Sequence, residues 1–393
     1  MKKRANNEGT IIKRTRTIKG KTYTYWEAKV TTGYDPITGK IIRSTYSGKT
    51  QKEVKEKMQE VSVSVSQRTY IHPSKITVEE WAKLWLQEFQ TSKKYKTVST
   101  HTSHIRNHIV PVLGKIKLSD LTPTQIQLFY NSLHLSPSSV HSIHGTLSAM
   151  LSDAVEMGHI PYNFASKRKL PTISSKHIHP LSDDDIRRFL AALEGEKYAD
   201  LFKTILFTGI REAEAIGLTW DCINFQNKTM RIYRQLQYRK QSEGGFTFCP
   251  TKTNKARTIS LTTYLCDLLQ ERKNNQKPPP SESWQADHPN DILVFPTSKY
   301  KPIQPKSIYE HFEKLMASIG LQGVRVHDLR HTFATLSFQN GDDIKTVQQN
   351  LGHSTASTTL NIYAHVSETM SQNSASRMQS YIDSIYAKKD PSE

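Results

Sequence analysis

The apolar residues of this chain change character once along its length, and that change sets what it can fold into. Residues 10–48 are short runs of aromatic and β-branched residues broken by turn signals. From Ile76 onward, apolar residues recur at three- and four-residue spacing, as on one face of a helix. With 393 residues, the chain is too long for one ordinary domain and is expected to form two or three.

The first stretch predicts three strands and a helix. Thr10–Thr17 carries Ile11 and Ile12, Lys19-Gly20-Lys21 reads as a turn, and Thr22–Thr32 is the richest in aromatic and β-branched residues. Asp35-Pro36-Ile37-Thr38-Gly39 is a second turn signal, followed by a strand over Lys40–Tyr46. Thr50 with Glu53 three residues later predicts a capped helix carrying Val54, Met58 and Val61.

A Ser/Val-rich segment over 62–75 suits a linker, and residues 76–160 then predict a four-helix domain. Val78, Trp81, Ala82, Trp85 and Phe89 form one stripe, read as core. Thr97–Ile109 is a second helix ended by Val110-Pro111. Thr122-Pro123 and Ser136-Pro137 open the third and fourth, and Gly158 stops the last. His101, His104 and His108 share a face with Arg106 nearby, which favours a solvated or DNA-facing surface over a ligand set. A basic, Pro-punctuated linker runs from Lys167 to Pro180. The remainder, 181–386, opens with Ser182 capping a helix and reads as mostly helical, with a hairpin near 226–261.

Charge narrows the partner. The net charge is +18, and residues 1–75 alone hold 17 Lys/Arg against 6 Asp/Glu. That surplus is interleaved with Tyr23, Tyr25, Trp26, Tyr34 and Tyr46, which favours a polyanion such as nucleic acid over a small protein-binding sheet. No apolar run approaches the length of a membrane span, and no apolar stretch follows the charged start Met1-Lys2-Lys3-Arg4. Cys222, Cys249 and Cys266 are sparse and odd in number, which argues against a disulfide framework and for a reducing cytoplasm.

The last stretch carries the chemistry. His327 and Arg330 are three apart, about 300° around a helix, so they share a face. An arginine that grips two oxygens and a histidine that adds a donor suit a phosphate. Upstream, Gly209 permits a tight turn from which Arg211 can project, with Glu214 on the same face to hold its guanidinium. Pro250-Thr251-Lys252-Thr253 and Arg257–Leu261 read as two arms of a hairpin joined at Asn254-Lys255, holding Lys252 towards a ligand. Leu351-Gly352-His353 is followed ten residues later by Tyr363. His327 and His331, four apart with an acid after the first, imitate a zinc-protease helix. Asp328 is shorter than the usual Glu, and Arg330 would set a cation beside the metal, so His331 is expected to be a satisfied packing histidine.

The ordered set Arg211, Lys252, His327-x-x-Arg330, Leu-Gly-His353 and Tyr363 resembles the catalytic signature of the tyrosine recombinase (phage integrase) family. His108-Ile109-Val110-Pro111-Val112-Leu113-Gly114 resembles part of that family's helical core-site-binding domain. Residues 10–65 resemble the arm-site-binding domain of integrases from conjugative transposons and related phages. The chain departs from the family's usual Leu and Gly at Ile210 and Ala213.

The resemblance implies a multidomain fold: an N-terminal three-stranded sheet plus helix (1–66), a helical core-binding domain (76–165), and a mainly α catalytic domain with a small antiparallel sheet (176–386). It implies that Tyr363 attacks a DNA phosphate and forms a 3′-phosphotyrosyl bond. Arg211 and Arg330 clamp the phosphate oxygens, His327 and His353 add hydrogen bonds, and His327 is placed to take the tyrosine proton. Lys252 protonates the leaving 5′-oxygen; Lys255 and Arg257 are its neighbours and competitors for that role. No cofactor is implied, because side chains supply the positive charge and the phosphotyrosine stores the bond energy. The implied partners are double-stranded DNA at core and arm-type sites, a homo-tetramer on two duplexes, and accessory DNA-bending or excision proteins. The tail Ser367–Ala387 is expected to be a helix that packs on a neighbouring protomer, with Met370, Met378, Ile382 and Ile385 as its apolar points. Two other readings are a type IB topoisomerase-like enzyme and a non-catalytic DNA-binding regulator. The arm-like domain argues against the first and the complete catalytic set against the second.

Overall fold

The computed structural model describes residues 9–18, 21–34, 40–66, 75–173, 180–239, 245–280, 284, 288–355, 359–360, 362 and 378–385. The chain packs as two units, Met1–Ser175 and Lys176–Glu393.

The first unit begins with β1 (Thr10–Ile18), β2 (Lys21–Tyr34) and β3 (Ile41–Gly48), an antiparallel sheet in that order. The turns expected at Lys19-Gly20 and Asp35–Gly39 fall outside the described residues. The helix Gln51–Ser66 covers one face of the sheet, with Val54 and Val61 buried together with Ala28 and Val30. Thr50 Oγ1 accepts the Glu53 N–H at 3.2 Å. The Glu53 carboxylate answers on the Lys49 N–H at 3.0 Å, one residue earlier than an ideal capping box.

The other sheet face follows from the register. Arg14 lies opposite Tyr25 and Arg16 opposite Tyr23 on β1 and β2, while Arg43 of β3 lies opposite Thr31. Side chains alternate along a strand, so these residues share the face away from Ala28 and Val30.

The four expected helices of residues 76–160 are present. The first runs over Val78–Leu84 and on through a wider π turn, Trp85–Phe89. Trp81 and Trp85 are fully buried, and the Trp81 indole N–H donates to the Met150 carbonyl at 2.9 Å. The third and fourth are Pro123–Asn131 and Pro137–Glu156.

Two expectations are corrected in this domain. The second helix, Tyr95–His104, does not stop at Val110-Pro111 but continues through a π turn at Ile105–Ile109 into Val110–Leu113. The Val110 N–H reaches back five residues to the Ile105 carbonyl. That wider winding accommodates a proline ring that an α-turn would clash with. His101 and His104 do not line a solvated face. His101 Nδ1 pairs with Gln90 Oε1 at 2.9 Å and its ring lies against Trp85, while His104 Nδ1 pairs with Thr146 Oγ1 at 2.8 Å. Burial lowers the pKa of both.

The second unit is mainly helical around a large apolar core that includes Phe189, Phe202, Phe312 and Leu329, with a smaller cluster formed by Ala334, Phe338, Val347, Leu351 and Ile362. Ser182 caps the helix Asp183–Ala192 and exchanges hydrogen bonds with Asp185, as its sequence predicts. The strands of this unit are β4 (Ile223–Asn224), β5 (Thr229–Ile232), β6 (Arg234–Tyr238), β7 (Phe246–Pro250) and β8 (Arg257–Ser260), which form two small antiparallel sheets, one of three strands in the order β4-β5-β8 and one of the pair β6-β7.

The expected hairpin over 250–261 is also corrected. β7 pairs with β6 and β8 with β5, so Pro250 and Arg257 belong to one arm rather than to two facing arms. Between the pairs Ile232–Arg257 and Arg234–Pro250, residues 251–256 loop out against the single residue Tyr233. The loop is closed by Thr251 Oγ1 donating to the Lys255 carbonyl at 2.9 Å and by Asn254 at φ 57°.

Of the tail Ser367–Ala387, residues 378–385 are described; they are helical and exposed, and Met370 lies outside the described residues. Among the described residues, no helix is long and apolar enough to cross a membrane.

Candidate active site

Two chain reversals, at Gly209 and Gly352, bring the site together. The helix Ala199–Thr208 ends at Gly209, which sits at φ 65°. A Cβ there would collide with the Phe333 ring and come within 2.8 Å of Leu351, so the close approach requires glycine. Arg211 then precedes the short helix Glu212–Ile216. The helix Ile344–Leu351 likewise ends at Gly352, φ 63°, which turns the chain towards His353.

Arg211, Arg330, His327 and His353 converge around these reversals. Arg211 Nη1 donates to Glu214 Oε1 and Nη2 to the Gly352 carbonyl, both at 2.9 Å. Arg330, on the helix Val326–Gln339, is 2% exposed. Its guanidinium donates to the Gly209 carbonyl and, at 2.6 Å, to the Leu351 carbonyl. Thus each arginine reaches the Leu351–Gly352 turn from a different element. Glu214 holds Arg211, as its spacing predicts, and is itself fully buried.

His353 Nδ1 pairs with the buried Thr359 Oγ1 at 2.9 Å. The His327 and His331 rings meet edge to face at 4.9 Å between centroids. His331 is packed but not satisfied, which corrects the expectation for it: among the described residues, its buried Nδ1 has no hydrogen-bond partner. Lys252 is exposed on the 251–256 loop. Tyr363 lies outside the described residues. Its predecessor Ile362 is buried with Ala334, Phe338, Val347 and Leu351.

The sequence passed over Arg257 except as a rival to Lys252. Its guanidinium takes both Glu214 oxygens, at 3.0 and 2.7 Å. The signal in the sequence is a single cation at the start of a strand, and only the folded chain sets it beside Glu214.

The electrostatics are those of an anion site. Burial and the neighbouring His331 and Arg330 push His327 down to about 4. Burial, Arg330 and Arg211 push His353 down to about 3. Burial, with the charge of Arg211, lowers Arg330 to about 9. Burial opposes ionisation of Glu214, but the hydrogen bonds and charges of Arg257 and Arg211 outweigh it and hold the carboxyl below its ordinary range. Glu214 is thus bonded by the guanidinium groups of Arg211 and Arg257, while Arg330 donates only to backbone carbonyls and both imidazoles are neutral at pH 7. An incoming phosphate would find donors and uncompensated positive charge. Among the described residues, no cluster of three or more His, Cys, Asp or Glu side chains is arranged to hold a metal.

Comparisons with known proteins agree with this architecture. The profile described as "Phage integrase family" matches residues 180–370, and "Phage integrase, N-terminal SAM-like domain" matches 77–134. A tyrosine recombinase XerC-like protein of Caldanaerobacter subterraneus is 29% identical over 363 residues, covering 87% of this chain and 92% of the relative. Among solved structures, the Tn1549 transposon integrase in complex with a circular intermediate DNA aligns with a TM-score of 0.67 at 20% identity, covering 77% of this chain and 99% of that one. The lambda integrase, solved as a tetramer bound to a Holliday junction, aligns with a TM-score of 0.54 at 18% identity, covering 85% and 92%. With the two integrase profiles falling on the helical domain and on the unit that holds the arginine–histidine cluster, the chain belongs to the phage integrase family of tyrosine recombinases.

Proposed function

We propose that this protein is a site-specific DNA recombinase that integrates and excises a mobile element, with Tyr363 as its nucleophile. The observation that carries this reading is the convergence of Arg211 and Arg330 on the Leu351–Gly352 turn beside His327 and His353. In this mechanism the Tyr363 phenol oxygen attacks the scissile phosphorus and the 5′-oxygen leaves. A phenol with a pKa near ~10 is a weak nucleophile at neutral pH, so the surrounding positive charge matters. Arg211 and Arg330 neutralise the non-bridging oxygens as charge builds in the transition state. His327, neutral at pH 7, is able to accept the phenol proton, and His353 donates a hydrogen bond. Lys252, carried on its exposed loop, delivers a proton to the leaving oxygen. The reverse sequence, with a new 5′-hydroxyl attacking the phosphotyrosine, rejoins the strand and releases Tyr363.

The three-part division follows the same reading. Residues 1–66 bind arm-type sites through the sheet face that carries Arg14, Arg16, Tyr23, Tyr25 and Arg43. Residues 76–165 and 176–386 grip the core site. The active assembly is a homo-tetramer on two duplexes passing through a Holliday junction, assisted by DNA-bending or excision proteins.

A nicked suicide substrate tests the catalytic part. Wild type should accumulate a covalent protein–DNA adduct, and Tyr363→Phe should give none. A topoisomerase-like enzyme would form the adduct and relax supercoils without pairing two sites, and a non-catalytic regulator would form no adduct at all. If wild type and Tyr363→Phe were indistinguishable, this reading would be wrong.

A further inference from the structure

Arg257 makes contacts unlike those of an ordinary strand residue. It opens β8, directly after the loop that carries Lys252. Its Nη1 and Nη2 donate to the two oxygens of Glu214 at 3.0 and 2.7 Å, and its Nε donates to the Asn350 carbonyl at 2.7 Å. The side chain is 10% exposed and that of Glu214 0%.

Both ends of this contact lead to the proposed chemistry. Glu214 also accepts from Arg211, through Nη1 on one oxygen and the backbone N–H on the other, each at 2.9 Å. One buried carboxylate is therefore gripped by two guanidinium groups, and the orientation of Arg211 depends on it. The Asn350 carbonyl belongs to the last turn of the helix Ile344–Leu351, where carbonyls lack partners within the helix and the dipole is negative. Arg257 supplies both a donor and a positive charge there. A Cβ on Gly352 would lie 3.0 Å from Arg257 Nη1, so the turn leading to His353 rests directly on this guanidinium.

We infer that Arg257 is a positioning residue for strand cleavage: it fixes Glu214 and the Asn350–Gly352 turn, and through them sets Arg211 and His353 around the phosphate. The assignment rests on the recombinase reading above. It requires arginine, because three donors in one plane meet two carboxylate oxygens and a carbonyl, whereas a lysine offers a point charge on a flexible stem.

The test uses the full-length protein and the site sequence recovered from DNA trapped on wild type. Cleavage rates are compared for wild type, Arg257→Ala, Arg257→Lys and Lys252→Ala on three versions of that duplex. One has an ordinary scissile phosphodiester. The second has sulfur at the 5′-bridging position, a leaving group that needs no proton. The third has a methylphosphonate, which lacks the negative charge that the arginines neutralise.

Arg257→Ala should cleave the phosphodiester about 100-fold more slowly, the scale expected for misplaced catalytic groups. The sulfur substrate should restore Lys252→Ala but not Arg257→Ala. The methylphosphonate should bring Arg257→Ala to within about tenfold of wild type, because the interaction it sets up no longer matters. Arg257→Lys should fall between alanine and wild type. A wild-type rate for Arg257→Ala, recovery on the sulfur substrate, or equal slowing on all three, as from impaired folding alone, would overturn the assignment. Absence of an adduct with wild type would instead sink the recombinase reading and this assignment with it.

Discussion

Arg211 and Gly352 are 141 residues apart in sequence and joined by one hydrogen bond, from the guanidinium Nη2 to the glycine carbonyl at 2.9 Å. The bond ties the start of one helix to the reversal that ends another. Arg330 donates to the adjacent Leu351 carbonyl, so two arginines fix the same turn and are fixed by it. The site is thus an extension of backbone packing, and its glycines should matter as much as its charges.

Gly209→Ala should therefore destabilise the protein severely. The residue is at φ 65°, and an added methyl group would collide with Phe333 and press on Leu351. The left-handed conformation costs a side chain about 1–2 kcal/mol. Overpacking typically adds about 1–3 kcal/mol. A urea titration should show the loss as a lower midpoint with unchanged slope; an unshifted midpoint would mean that the turn relaxes freely.

Arg330→Met should remove both activity and stability. Two carbonyls, of Gly209 and Leu351, lose their donor in a buried environment. Each buried orphan costs about 1–3 kcal/mol. Loss of one phosphate-stabilising donor should slow adduct formation at least ~100-fold. Adduct yield on the nicked substrate and the denaturation midpoint measure the two effects separately. Retention of wild-type cleavage would show that Arg330 serves the fold alone.

What was legible in the sequence follows the distance over which each signal acts. Ser182 with Asp185 and the Trp81/Trp85 stripe are local patterns, and they fold as read. The arm around Lys252 looks like a hairpin in the sequence because Pro250 and Arg257 flank a plausible turn, while the strands that pair with them lie elsewhere in the sequence. The π turn before Pro111 leaves no mark in the sequence, where proline signals a helix end; the wider winding upstream lets the helix continue. His101 and His104 look like surface residues by composition, yet Gln90, just past the end of the first helix, and Thr146 of the fourth reach them. The order of Arg211, His327, Arg330 and His353 was readable, but the Arg257–Glu214–Arg211 grip that orients it was not.

The histidines predict a pH dependence of stability. His327 is depressed to about 4 and His353 to about 3, with burial as the first cause of each. In an unfolded chain both titrate near ~6.5. Between these values the unfolded state binds more protons than the folded state, so stability falls as pH drops from ~6.5 towards ~4. The lowered carboxyl of Glu214 adds its own loss only below its ordinary range. The denaturation midpoint should drop between pH 7 and pH 5. The double variant His327→Gln, His353→Gln should reduce that drop without abolishing it, because burial also lowers His101, His104, His144 and His331. A midpoint that rises on acidification would contradict the burial of these rings.

The outward face of the N-terminal sheet predicts a salt signature. Arg14, Arg16 and Arg43 are exposed there, beside Tyr23. If each contacts one phosphate, replacing any one by alanine should reduce the slope of log affinity against log salt by about 1 on arm-type DNA. Adduct formation at an isolated core site should be unaffected. Gel-shift titrations at several salt concentrations measure the slope; an unchanged slope in the triple variant would remove this face from the interface.

The C-terminal segment predicts a defect specific to assembly. Within residues 378–385, Met378, Tyr381, Ile382 and Ile385 are all exposed, at 58, 63, 37 and 44%. Residues three and four apart lie on one side of a helix, so Met378, Tyr381, Ile382 and Ile385 form an apolar strip without cover among the described residues. A second copy of the chain is the proposed cover, consistent with a tetrameric assembly. Truncation before Met378 should leave binding to a single site intact and abolish pairing of two sites, scored as loss of the slow-migrating two-duplex complex. Met378→Lys with Ile382→Lys should reproduce the truncation by placing charge on the strip. If both variants pair two sites as wild type does, the strip has another role.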